Sequence, residues 1–147
     1  MGNNVLQEIM RFQKKRDLHN KGFVWANEAK NVLEEIFEAE GCDIPKHQRS
    51  MIFNPVLAHA EALINMSVTT AQTVPTNDDR VDAFADIVVF AIGAMMKLGY
   101  DPEKVLGEVG KEINSREGEM MNGKFEKYLD DAHKAKWYKA DFTECRL

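Results

Sequence analysis

The 147-residue sequence predicts an all-α helical bundle of about five helices followed by a C-terminal tail. Three observations predict it. Apolar residues recur at helical spacing in four separate segments. Glycines, prolines and N-cap residues separate those segments. No segment alternates apolar and polar residues as a half-buried strand does.

The first helix is expected within "NVLQEIMRFQKKRDLH", with Val5, Leu6, Ile9, Met10 and Phe12 on one side and Lys14, Lys15 and Arg16 closing it. Basic residues suit a helix C-terminus. The second runs from about Trp25 to Glu40, with Trp25, Ala29, Val32, Leu33, Ile36 and Phe37 as its apolar stripe and Gly41 as its stop. A third is expected from about Gln48 to Thr70, its stripe being Ile52, Val56, Leu57, Ala60, Leu63 and Ile64. Pro55 should kink it, or restart it with Asn54 as N-cap. "TVPTNDD" then breaks the chain.

The fourth helix, from about Asp78 to Leu98, is of another kind. Its stretch "IVVFAIGAMM", Ile87 to Met96, is apolar on every face, which predicts a central helix buried on all sides, with Met95 and Met96 in the core. Gly99 ends it. Asp101 and Pro102 then open a fifth helix as N-cap and first helical residue, with Val105, Leu106, Val109 and Ile113 inward. The tail from Gly118 to Leu147 is polar and aromatic without a clear period.

The length suits one domain, residues 1–147, with a helix-sized insert within 41–78. Hydrophobic residues make up 44% and charged residues 29%, as in ordinary soluble proteins. The net charge of −5 disfavours nucleic acid or an anionic membrane as partner. An anionic substrate would need a local remedy, either a metal or a basic cluster. Cys42 and Cys145 form no zinc or CxxC pattern and are expected as free thiols. The N-terminal residues hold no signal-peptide core, and no run is long enough to span a bilayer. A cytoplasmic protein is expected.

Two acidic clusters carry the functional question. On a helix Glu38 falls about 60° from Glu35 and about 40° from Glu34, so all three can point at a common spot, opposite the apolar stripe. A solvated acidic face accounts for them when they are taken alone. Asp82 and Asp86, four residues apart, change the balance. Asp78 and Asp79 are ordinary first-turn acids that the helix dipole favours. Asp86 is two turns further on, where the apolar segment begins, and an unpaired carboxylate is costly there. Two helices that each offer two carboxylates suit a hard cation, Mg²⁺ or Mn²⁺. A di-iron site needs Glu-x-x-His, and Arg16, Ile44, Val56 and Asp130 precede the four histidines at that spacing.

"EEIFE" followed by a second acidic helix resembles the all-α nucleoside triphosphate pyrophosphohydrolases, the MazG-like superfamily. Their hallmark is EExxE on one helix and an acidic pair ending in aspartate on another. Glu34, Glu35 and Glu38 match the first part. Position 83 is alanine, where the commonest second part has glutamate. "VDAFADIVVFAIGAMMKLGYD" instead resembles the phosphoribosyl-ATP-pyrophosphohydrolase-like branch, matching at Asp82, Asp86, Gly93, Gly99 and Asp101. "EVGKEINSRE", "GKF" and "WYKADF" are similar to that branch's later motifs, with Asn114, Lys124, Trp137 and Asp141 at the corresponding places and Ala140 where a proline is usual. The resemblance covers residues 28 to 142.

The resemblance implies a fold of the all-α NTP pyrophosphatase type and hydrolysis of a nucleoside triphosphate to monophosphate and pyrophosphate. Glu35, Glu38, Asp82 and Asp86 would hold Mg²⁺, and Glu34 or Glu38 would orient the attacking water. Lys111, Asn114, Arg116, Lys124 and Trp137 are the candidate substrate contacts. Ordinary readings stand beside these: Lys111 and Arg116 as solvated helix-end charges, Trp25 and Trp137 as core or interface, and Lys14, Lys15 and Arg16 as a helix end. The acidic face of the second helix needs another surface to close a dry site, so a homodimer or homotetramer is expected. Alternatives are phosphoribosyl-ATP hydrolysis and a non-enzymatic helical interaction or regulatory protein.

Overall fold

The computed structural model describes residues 4–71, 74–121 and 124–147; the side chains of 67–71 and of Lys124 lie outside that description. The described chain is mostly helical, as expected, with a small two-stranded sheet. The helices are α1 (Asn4–Lys15), α2 (Trp25–Ala39), α3 (Arg49–Ala71), α4 (Asn77–Lys97), α5 (Pro102–Asn114) and the short α6 (Asp131–Lys134). A β-hairpin, β1 (Gly118–Met121) with β2 (Lys124–Lys127), follows α5. Thr73, in the expected breaker, lies outside the described residues.

Two compact units emerge, one built from residues 1–21 and 78–147, the other from 22–77. Each has its own packing. In the second unit α2 lies on α3. Phe53 of α3 is fully buried, its ring centroid 5.3 Å from that of Phe37, with Leu57 and Ile44 buried as well. Helix α3 runs through Pro55 without restarting. Its inward side chains are Phe53 and Leu57, whereas Val56, Leu63 and Ile64 of the expected stripe are exposed. Ile36 of α2 is exposed too. One helix face can meet only one partner, and here the contact runs along Phe37 and Phe53.

In the first unit α1 packs along α5. Gly110 makes that contact close: a Cβ there would lie 3.1 Å from Glu8 Cβ. Asn114 Nδ2 fastens the pair by donating to Glu8 O at 3.0 Å and Gly110 O at 2.8 Å. Phe12 meets Phe125 of β2 edge-to-face, with centroids 5.6 Å apart. The helix ends follow local chemistry. Asp101 caps α5 by accepting from Glu103 N–H at 2.9 Å, with Pro102 next to it. Gly41 and Gly99 adopt φ of +77° and +82° and terminate α2 and α4. Each termination has paired bonds from the glycine and its successor, such as Tyr100 N–H to Met95 O at 3.1 Å and Gly99 N–H to Met96 O at 2.9 Å.

Two expectations need correction. Helix α4 is not buried on all sides: Val89 is 62% and Phe90 76% exposed, and Met96 is exposed as well. The apolar face of α5 is occupied by α1, and α4 has no comparable partner among the described residues. The tail is also ordered beyond its lack of period. Its end returns to the α4–α5 turn, where Asp101 N–H donates to Cys145 O at 2.8 Å and Leu147 N–H to Gly99 O at 3.1 Å. Cys145 is buried and Cys42 exposed, both as free thiols. No helix is long and apolar enough to cross a membrane among the described residues.

Candidate functional site

The three glutamates of α2 do not share one environment. Glu34 is buried, 3% exposed, and its Oε1 lies 2.6 Å from Arg49 Nη2 at the start of α3. This corrects the expectation of a uniformly solvated acidic face. The reason lies in α3, which lays Arg49 against α2 at the level of Glu34. Glu35 and Glu38 are exposed.

On α4, Asp82 and Asp86 are both exposed. The desolvation expected around Asp86 is absent because the apolar segment beyond it is itself exposed. These aspartates belong to the first unit and the glutamates of α2 to the second. Each helix presents two exposed carboxylates about a turn apart, a donor type that suits Mg²⁺, which keeps several waters. Among the described residues, no three His, Cys, Asp or Glu side chains come together as a set able to hold a metal.

The first unit also assembles the polar face of α5 with the tail. Glu108, Glu112 and Ser115 form one stripe that accepts tail amides: Asp141 N–H to Glu108 at 3.2 Å, Ala140 N–H to Glu112 at 2.9 Å, and Tyr138 N–H to Ser115 Oγ at 2.8 Å. Glu108 also takes an ion pair from Lys111 at 2.5 Å and a hydrogen bond from the Tyr138 hydroxyl. These donors, Lys111 first, lower the Glu108 pKa to about 2. The same bond raises that of Lys111. Lys111 and Glu108 help line an open cleft of about 420 Å³ together with Lys104, Asp141 and Cys145.

Beyond the end of α5 lies a cluster of cationic and aromatic groups. Arg16 extends past α1, its guanidinium 4.2 Å from the Phe12 ring centroid and 4.6 Å from that of Phe125. It donates to Ile113 O at 3.1 Å and to Arg116 O. Arg116 pairs with Glu112 and lies 5.5 Å from the Trp137 ring centroid, over which Lys127 Nζ also sits at 5.2 Å. Burial lowers the pKa of both arginines, chiefly by desolvation. Within this cluster three N–H groups are buried without a hydrogen-bond partner among the described residues: Arg16 Nη1, Arg116 Nε and Trp137 Nε1. Buried donors are normally satisfied, so such a group at one end of a unit is a place for an acceptor-rich ligand.

Of the candidate substrate contacts, Arg116 and Trp137 therefore come together. Asn114 is turned to α1, with its Oδ1 buried and unbonded among the described residues. Lys111 lies on the Glu108 side, and the Lys124 side chain is outside the described residues. Sequence reasoning missed Arg16 and Lys127 as members of the cluster. Arg16 follows two lysines in a basic helix end, and nothing local distinguishes it from them. Compared with known proteins, the chain matches no protein-family model, no curated protein and no solved structure.

Proposed function

We propose that the protein is a Mg²⁺-dependent nucleotide pyrophosphohydrolase that cleaves a nucleoside triphosphate to the monophosphate and pyrophosphate. The observation that carries this reading is the Arg16–Arg116–Trp137–Lys127 cluster, with three buried N–H donors that have no partner among the described residues. In a chain of net charge −5 it is the local positive site that an anionic substrate requires. Guanidinium groups bind phosphate oxygens through several donors at once, and the tryptophan face offers a platform for a base.

Metal binding is assigned to exposed carboxylates, Glu35 and Glu38 on α2 and Asp82 and Asp86 on α4. Bound Mg²⁺ would polarise the α-phosphorus and lower the pKa of a coordinated water. Of the two glutamates considered as base, Glu38 is preferred, because Glu34 is held by Arg49. The EExxE and DxxAD spacings support the assignment through resemblance alone. The compartment that fits is the cytoplasm, where nucleotides and Mg²⁺ are abundant.

The test is pyrophosphate release across a panel of canonical and modified nucleotides, with phosphoribosyl-ATP included, at several Mg²⁺ and Mn²⁺ concentrations. Metal-dependent release that falls at least 100-fold in Glu38→Gln and Asp86→Asn supports the proposal, a loss typical of removing a group that acts in the transition state. Absence of release from every nucleotide, with no Mg²⁺ binding by calorimetry, rejects it. The exposed apolar α4 favours a second reading, a helical interaction protein without catalysis. That outcome would leave the second reading standing.

A further inference from the structure

We infer that His133 controls the anion affinity of the Arg16–Arg116–Trp137–Lys127 cluster through Glu117, so that an anion binds more tightly when the imidazole is protonated. The inference rests on the reading of that cluster as an anion site and adds a control by pH to it.

The His133 ring stands between two carboxylates. Its Nδ1 lies 2.5 Å from Asp130 Oδ2 and its Nε2 lies 3.3 Å from Glu117 Oε2. Its ring centroid lies 4.8 Å from that of Tyr128. Among the described residues, these are the titratable groups set against the ring: Asp130 at the N-cap of α6, Glu117 just before β1, and Tyr128 just after β2. A neutral imidazole has one N–H and one lone pair, so in either tautomer one carboxylate faces a lone pair. Only the imidazolium donates to both. The side chain is 31% exposed, so its proton exchanges with solvent.

Glu117 is the link to the cluster. Desolvation lowers the Arg16 pKa, and the charge of Glu117 opposes that shift. Glu117 is therefore an internal anion set against the guanidinium that an external anion needs. A neutral His133 leaves this charge unbalanced on the ring side. A protonated His133 pairs with it and reduces its pull on Arg16. The ring also belongs to the segment that carries the cluster. Lys136 N–H donates to His133 O at 3.0 Å and Trp137 N–H to Lys134 O at 3.1 Å, so α6 and the turn after it place the indole. Tyr128 follows Lys127, whose Nζ lies over that indole.

Asp130 holds the ring without acting as the switch. Its Oδ1 accepts the His133 backbone N–H at 3.1 Å. The hydrogen bond from the His133 ring lowers its pKa, so it remains charged across neutral pH. Histidine is the side chain that ordinarily changes charge between about pH 5 and 8.

The probe is sulfate, a dianion throughout this range, titrated by calorimetry into the whole chain at about pH 6 and about pH 8.5. Ionic strength is held constant, because salt screens exposed charges. Sulfate should bind about threefold tighter at the lower pH, the scale of an exposed ion pair. Binding near neutral pH should take up part of a proton, by the reciprocity of linked equilibria, and heats in buffers of different ionisation enthalpy read it. His133→Asn keeps a side-chain donor, removes the charge, and should abolish both the pH difference and the uptake. Glu117→Gln should raise the affinity at about pH 8.5, where the wild-type imidazole is neutral. Equal affinities at the two pH values, a difference that survives His133→Asn, or a Glu117→Gln chain that binds no tighter at the higher pH would each overturn the inference while leaving the anion site in place. Sulfate that binds at neither pH, or binds equally well to Arg116→Met, removes the anion site and the inference with it.

Discussion

Glu34 and Arg49 form an ion pair of 2.6 Å in which the carboxylate is buried and the guanidinium only partly so. The pair joins the middle of α2 to the first residue of α3. A buried charge that loses its counter-ion destabilises a fold far more than removal of the whole pair does. Arg49→Met should therefore lower unfolding stability by about 3 kcal/mol, with much of the loss recovered when Glu34→Leu is added. Urea unfolding followed by far-ultraviolet circular dichroism measures both. Equal stability in the single variant and the wild type would show that the pair holds nothing together.

The acid response should centre on Glu108. Its carboxylate is held near pKa 2 by Lys111, the Tyr138 hydroxyl and the Asp141 amide, below its ordinary value of 4.5. A depressed carboxylate contributes stability that is full above the unfolded pKa and is lost as the pH falls through the folded one. The window is thus from about 4.5 down to about 2. Glu108→Gln should flatten the fall of stability over that range. Tyr138→Phe should raise the Glu108 pKa, read as a shifted carbonyl-carbon resonance in an NMR titration. Unchanged titration of Glu108 in Tyr138→Phe would remove the hydroxyl from the account.

The two features probed by these variants were not legible in the sequence, and the reason is physical. Glu34 sits beside Glu35 with the same local surroundings in sequence; Arg49, fifteen residues on, pairs with Glu34, the one that is buried. Glu108 and Glu112 look like solvated acids on a helix and instead accept amides from residues about thirty positions later. The helix limits were legible because their determinants are local: Asp101 with Pro102 starts α5, and Gly41 and Gly99 stop α2 and α4. The hairpin was hidden because four-residue strands leave too few residues to display alternation. The uniform apolarity of "IVVFAIGAMM" was plain. What surrounds it was not, since a sequence does not say whether the cover comes from its own chain.

Asn114 stands among the candidate substrate contacts, yet its amide donates to Glu8 O and Gly110 O. Asn114→Ala should cost roughly 1–2 kcal/mol of stability through these two hydrogen bonds. Asn114→Asp should cost more, because a carboxylate would face two carbonyl oxygens and Glu8. Thermal unfolding at neutral pH ranks the three proteins. If Asn114→Ala unfolds with the wild type while nucleotide affinity collapses, the residue belongs to the substrate rather than to the α1–α5 contact.

Trp137 provides a direct report on the cationic cluster. Arg116 and Lys127 both lie over its ring, and its indole N–H is buried without a partner among the described residues. The chain has two tryptophans, so Trp25→Phe leaves Trp137 as the sole emitter. A nucleotide that draws Arg116 onto its phosphates, or stacks on the indole, changes the charge and polarity beside that ring. Fluorescence should then change saturably with nucleotide. Arg16→Met and Arg116→Met should each weaken the apparent affinity about tenfold, the equivalent of about 1.4 kcal/mol for a charged hydrogen bond. The effect of Arg16 is the sharper test, because its ring contacts are with Phe12 and Phe125 and it has none with Trp137. Were nucleotide to leave the emission unchanged, or Arg16→Met to bind as well as wild type, the cluster would be a structural clamp between α1, α5 and the hairpin.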